Sequence, residues 1–116
     1  MNRTFYVAGV QFRPAAEVRE VMSYIHEGSY LDLKPEPENK YDPNAIKIVF
    51  VEYDTDDLHL GYVPKKFSAE VAAMLEAGID LVCLVLEANP NAKPWEMLKV
   101  AVKIAEPEAS EEEVSE

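Results

Sequence analysis

The sequence predicts a mostly β fold: a small, six-stranded, mostly antiparallel barrel with two α-helices. Three observations predict it. Six stretches carry β-type patterning, alternating or continuously apolar, with turn residues between them. Two stretches carry helical periodicity, too few for the crossovers of a parallel sheet. Residues 45–53 and 58–63 flank a short acidic turn and read as a hairpin. Closing such a sheet removes its exposed edges.

Each element has its own warrant. Residues 4–12 (TFYVAGVQF) read as a strand with Phe5 and Val7 on one face; Gly9 marks a bulge or a close backbone approach. A helix follows over residues 14–25. Pro14 suits its first turn, Val18, Met22 and Ile25 share a stripe that Val21 widens, and Gly28 lies just past its end. Residues 30–34 alternate Leu31 and Leu33 against Asp32 and Lys34, a short strand. Residues 45–53 are apolar on both faces, with Ile46, Ile48 and Phe50 opposite Lys47, Val49, Val51 and Tyr53, so this strand is expected at the centre. Ser68 is the expected cap of a second helix over residues 69–77, with Val71, Ala72 and Leu75 inward and Gly78 as the stop. Residues 80–88 (DLVCLVLEA) read as a buried strand and residues 89–94 as a turn. Residues 95–104 form the last strand, with Leu98, Val100, Val102 and Ile104 inside.

A chain of 116 residues implies one domain, long enough to bury a core without staples. The expected barrel covers residues 1–104. Residues 105–116 hold six glutamates and no base, and are expected to be a disordered tail that either solubilises or interacts. The other 16 acidic and all 11 basic residues leave the body at −5, against −11 for the chain. That balance argues against a large, sequence-blind phosphate footprint but leaves room for a small one. The lone cysteine, Cys83, sits in an apolar run and cannot form an internal disulfide; a reducing, cytoplasmic compartment fits. No apolar run approaches the ~18 residues of a membrane span.

No catalytic constellation is present, so the expectation is a protein that is not an enzyme and that uses no cofactor and no metal. The four glycines are scattered singly, without a phosphate-cradling pattern. His26 and His59 lie apart and lack cysteine partners for zinc. Asp54, Asp56 and Asp57 lack the spacing and glycine of a calcium loop and read as a solvated turn.

The stretch that stands out is residues 33–51, LKPEPENKYDPNAIKIVFV. Pro35, Pro37 and Pro43 each lock φ and bias the preceding residue towards extended conformations. The loop is therefore expected to be stiff. It presents Asn39, Lys40, Tyr41, Asp42 and Asn44, polar groups beside an aromatic ring, and a rigid polar loop is a place to look for function.

Three segments, VAGVQF (7–12), EPENKYDPNAIKI (36–48) and LGYVPK (60–65), together resemble the HIRAN domain family, in which similar segments occur in the same order and at similar spacing. The resemblance covers residues 5–78, and its middle motif is the most specific. It is to a stand-alone bacterial or phage-type member. It implies a six-stranded barrel of OB-like shape with two helices. The family occurs in replication-stress helicases and ubiquitin ligases, and alone or fused to nucleases in bacteria and phages. The resemblance implies binding of single-stranded DNA at a 3′ end, in DNA repair or replication-stress processing. An aspartate at the position of Asp42 would meet the 3′-hydroxyl, and aromatics at Tyr41 and Phe12 would support terminal bases. Asn39 and Lys65 would assist at the backbone, and Tyr62 falls where a histidine contacts the strand.

Physical chemistry supports the transfer independently. A carboxylate repels phosphate, so Asp42 makes sense where the phosphate chain stops and a hydroxyl donor appears. Lys40, Lys65, Lys66 and Arg13 could neutralise a few phosphates. Two departures stand against it. Gln11 replaces an arginine found in eukaryotic members, and a later aromatic that they use in a loop after the second helix has no clear counterpart. Plainer readings exist for each residue. Asp42, Asn39 and Asn44 are good turn formers, Tyr41 could plug the barrel, Phe12 could be core, and Lys40, Lys65, Lys66 and Arg13 could be ordinary exposed bases. Single-stranded DNA ends are one expected partner. The rival reading is a protein-interaction module that docks on a nuclease or helicase.

Overall fold

The computed structural model of the chain describes residues 1–51 and 57–105. Six strands are present: β1 (Asn2–Tyr6), β2 (Tyr30–Pro35), β3 (Ile46–Phe50), β4 (Leu58–Tyr62), β5 (Leu81–Ala88) and β6 (Leu98–Ile104). Helix α1 (Ala15–Met22) follows β1, and helix α2 (Lys65–Glu76) precedes β5. The strands form one curled antiparallel sheet in the order β1-β6-β5-β2-β3-β4. The two ends of that order meet just beyond β1. Ala8 and Tyr62 exchange backbone hydrogen bonds, Ala8 N–H to Tyr62 O at 2.9 Å and Tyr62 N–H to Ala8 O at 2.8 Å. The mostly β, OB-like architecture with two helices is the expected one.

Apolar periodicity explains the interior. Ile46 and Ile48 from β3, Cys83 and Val85 from β5, and Val100 and Val102 from β6 are almost wholly excluded from solvent. Val21 of α1 and Val71 of α2 cover them. The expected central strand is central, since β3 pairs with β2 on one side and β4 on the other. Burial pushes the Cys83 thiol up to about 12, with Asp32 adding to the effect, so it behaves as a small hydrophobe.

Several expectations need correction. The first strand ends at Tyr6 rather than at residue 12. Gly9 adopts a left-handed φ of 79°, which turns the chain into a 3-10 turn, Val10–Phe12. The close backbone approach expected at Gly9 occurs instead at Gly61, where a side-chain carbon would collide with the Ala8 carbonyl and Val7. Helix α2 starts at Lys65, three residues before Ser68, so Ser68 does not cap it. Pro64, extended at φ −56° and ψ 145°, stands at the helix entrance instead. Trp95 belongs to a 3-10 turn, Pro94–Glu96, before β6 begins. Ile104, expected inside, is exposed because β6 ends there. The expected strand end at Tyr53, most of the turn over 54–57 and the tail from 106 onwards lie outside the described residues.

Candidate nucleic-acid interface

The proline-rich loop connects β2 to β3 and is held by its own side chains. Glu36 N–H donates to Ala45 O at 2.8 Å, closing the loop's neck. Asn39 Oδ1 accepts from the backbone N–H groups of Tyr41 (2.8 Å) and Asp42 (3.0 Å). Asp42 Oδ1 accepts from Asn44 N–H at 2.9 Å, the side-chain turn that Asp-Pro-Asn favours. The turn-forming readings of Asn39 and Asp42 are therefore real, and they stiffen the loop without removing the carboxylate's remaining lone pairs.

Glu36 is the hub. Its Oε1 accepts from Asn39 Nδ2 at 2.7 Å and from the Tyr62 hydroxyl at 2.9 Å, and its Oε2 lies 3.8 Å from Lys47 Nζ. The Asn39 amide holds the Glu36 carboxyl below its usual range, with the Tyr62 hydroxyl and Lys47 acting the same way against a partial burial. Burial, then the bond to Glu36, raises the Tyr62 phenol. Next to it, His59 meets the Tyr62 ring edge-on at 4.9 Å, and its Nε2 lies 3.0 Å from Gly61 O. Burial and the nearby Arg13 lower the His59 pKa, so its neutral form, donating from Nε2, is favoured.

A groove of ≈ 440 Å³ opens beside this network, lined by Ala8, Asn39, Tyr41, Asp42, Ala45, Tyr62, Val63 and Lys65. Five of the seven residues expected to contact DNA thus line one concavity: Asn39, Tyr41, Asp42, Tyr62 and Lys65. Tyr41 is 88% exposed and Phe12 is 81% exposed, so neither is a plug or a core residue. The structure does not bring Phe12 and Lys40 into the lining. Lys40 is exposed on the same loop, and Phe12 stands on the turn just after Ala8. Arg13 is already engaged, donating from Nε to His59 O at 3.1 Å and from Nη2 to Glu17 at 3.1 Å. Lys66 sits in the first turn of α2 with its Nζ 5.1 Å from the centre of the Phe67 ring.

Sequence reasoning missed two contributors, Glu36 and Ser68. Glu36 was visible in the motif, but nothing in a sequence shows that one carboxylate serves Asn39 and Tyr62 together. Ser68, buried in α2, points its hydroxyl at Asp42 Oδ2, 2.9 Å away. Trp95, half-exposed, lies in the turn between β5 and β6, and that turn packs against the one carrying Phe12. A second groove of ≈ 280 Å³ includes residues of both turns, among them Gln11, Arg13 and Pro94.

Among the described residues no group of three or more His, Cys, Asp or Glu side chains could hold a metal ion, and no helix is long and apolar enough to cross a membrane.

Comparison with known proteins accords with this geometry. The chain is 33% identical over 52 residues to a Fanconi-associated nuclease 1 homolog from Oryza sativa subsp. japonica, a match covering 45% of this chain. The match spans about 5% of that nuclease's length. The fold is similar to that of a protein from Lactobacillus plantarum, with a TM-score of 0.72 and 20% identity over 88% of this chain and 95% of that one. It is also similar to the HIRAN domain of human HLTF, with a TM-score of 0.65 and 16% identity over 98% of this chain and 83% of that one. The family profile of the HIRAN domain matches residues 3–106. The chain belongs to the HIRAN domain family, known as DNA-binding modules.

Proposed function

We propose that this chain is a non-catalytic module that binds the 3′ ends of single-stranded DNA and tests for a free 3′-hydroxyl, in DNA repair or replication-stress processing. The observation that carries the reading is the groove itself, where Asp42, Tyr41, Asn39, Tyr62 and Lys65 converge. A carboxylate in a nucleic-acid groove is repelled by phosphate and is a strong acceptor for a hydroxyl, so it suits the place where the phosphate chain ends. Tyr41 offers an exposed ring for the terminal base, and base stacking on an aromatic contributes ~1–3 kcal/mol without sequence preference. Phe12, 81% exposed on the turn after Ala8, offers a second ring outside the groove lining.

Cations are few. Lys65 lines the groove and Lys40 and Lys66 stand exposed near it, while Arg13 is committed elsewhere. Binding should therefore fall only shallowly with salt. The partial likeness to a nuclease supports a nuclease as the protein that works beside this module. The functional unit is assigned to residues 1–104, leaving 105–116 outside it.

Titration of a short, 5′-labelled single strand ending in a 3′-hydroxyl or a 3′-phosphate tests the reading. The hydroxyl end should bind about tenfold more tightly, as expected for one charge-assisted hydrogen bond exchanged for repulsion. Equal binding of the two, or binding of neither, refutes it.

A further inference from the structure

We infer that Ser68 is a positioning residue for the end-recognition site, setting the discrimination between a 3′-hydroxyl and a 3′-phosphate by holding Asp42 still. The inference rests on the proposed recognition of a 3′-hydroxyl by Asp42. Ser68 is 2% exposed and is the one buried polar side chain among the described residues. A buried hydroxyl is unfavourable without a hydrogen-bond partner. A serine within a helix ordinarily finds that partner in its own helix, and here the Lys65 carbonyl is 3.0 Å from Ser68 Oγ. The same oxygen is 2.9 Å from Asp42 Oδ2, across 26 residues of sequence. One hydroxyl has one proton. An ionised carboxylate is a stronger acceptor than a peptide carbonyl, so the proton goes to Asp42.

The consequence is geometric. Asp42 Oδ1 is pinned by Asn44 N–H and Oδ2 by Ser68, so the carboxylate is held at both oxygens and from two different elements. An unpinned carboxylate facing a 3′-phosphate could swing away and relieve the repulsion. A pinned one cannot, and it meets a 3′-hydroxyl without reorganising first. Ser68 therefore acts on the ratio of the two affinities, through Asp42 and without touching the DNA.

Ser68→Ala removes the hydroxyl, and Ser68→Cys keeps nearly the same volume with a much weaker donor. Each full-length variant would be titrated with the two 5′-labelled strands, ending in hydroxyl or phosphate, with wild type alongside. Thermal unfolding reports whether each variant folds; if the alanine variant does not, the cysteine variant decides. The affinity ratio should shrink by about threefold from its roughly tenfold wild-type value, mostly through tighter binding of the phosphate end. On an Asp42→Asn background the same change should leave the ratio where it is. A wild-type ratio that persists in the folded Ser68 variants overturns the inference while leaving end recognition intact, and so does an equal loss of both affinities. A wild-type protein without any ratio overturns the end-recognition reading itself, and the inference with it.

Discussion

Replacing Glu36 tests whether the loop is held as a unit. Glu36→Ala leaves Asn39 Nδ2 and the Tyr62 hydroxyl without their shared acceptor and removes the Lys47 pair. Hydrogen bonds to a charged group contribute ~1.5–3 kcal/mol each. Glu36 and Lys47 are about one-third exposed, 31% and 34%, so water replaces part of what is lost and the weak pair adds little. The net cost should be ~2–3 kcal/mol, which for a domain of this size lowers Tm by roughly 10 °C. Glu36→Gln keeps an amide oxygen that can accept from both donors, so it should cost ~1 kcal/mol. Thermal unfolding followed by circular dichroism at neutral pH reads both values. The pH dependence adds a second arm. Because the folded state lowers the Glu36 pKa, its extra stability is present above the ordinary value of 4.5 and is lost as pH falls through the folded value. The gap between wild type and Glu36→Gln should therefore close in acid. A Glu36→Ala protein that melts within ~2 °C of wild type would refute the hub, since that shift is below the cost of one hydrogen bond.

Three further outcomes follow from the same structure. Gly61→Ala drives a methyl into the Ala8 carbonyl at the bridge that joins the sheet's ends, and should cost about 3 kcal/mol in a denaturant melt. His59 has a lowered folded pKa, so the unfolded chain takes up its proton first as pH falls below 6.5; stability should decline from there, and His59→Gln should flatten that part of a Tm-against-pH curve. Tyr41→Ala, at a position 88% exposed, should move stability by no more than ~0.5 kcal/mol while weakening single-strand binding by ~1–3 kcal/mol in an anisotropy titration.

Much of this architecture was legible in the chain because periodicity and turn chemistry are local. Ile46 and Ile48, Val100 and Val102, and Val21 and Val71 are buried where their spacing places them. The prolines and Asp-Pro-Asn announced the loop, and the loop does brace itself through Asn39 and Asp42. What failed depended on distant partners. Gly9 and Gly61 look alike in sequence; one needs a left-handed φ and the other a clear path for the Ala8 carbonyl, and topology alone assigns them. Ser68 has the residue type of a helix cap, but with the proline at the helix entrance the helix starts four residues upstream of the expected position and leaves Ser68 facing Asp42. Phe12 reads as an apolar residue ending a strand, yet the turn at Gly9 swings it out of the barrel to 81% exposure. Glu36 in a run of prolines and acids looks like loop solvation, and its role depends on Tyr62, 26 residues away.

Competition with a closed circle tests the central claim most directly. A labelled single strand with a free 3′-hydroxyl is bound to the protein, then challenged with unlabelled strands of one sequence, either linear or ligated into a circle. If Asp42 receives a terminal hydroxyl in the groove with Tyr41 and Lys65, the linear strand displaces the label and the circle, which has no end, does not. A circle that competes as well as the linear strand, molecule for molecule, would contradict end recognition and make the groove a general single-strand site.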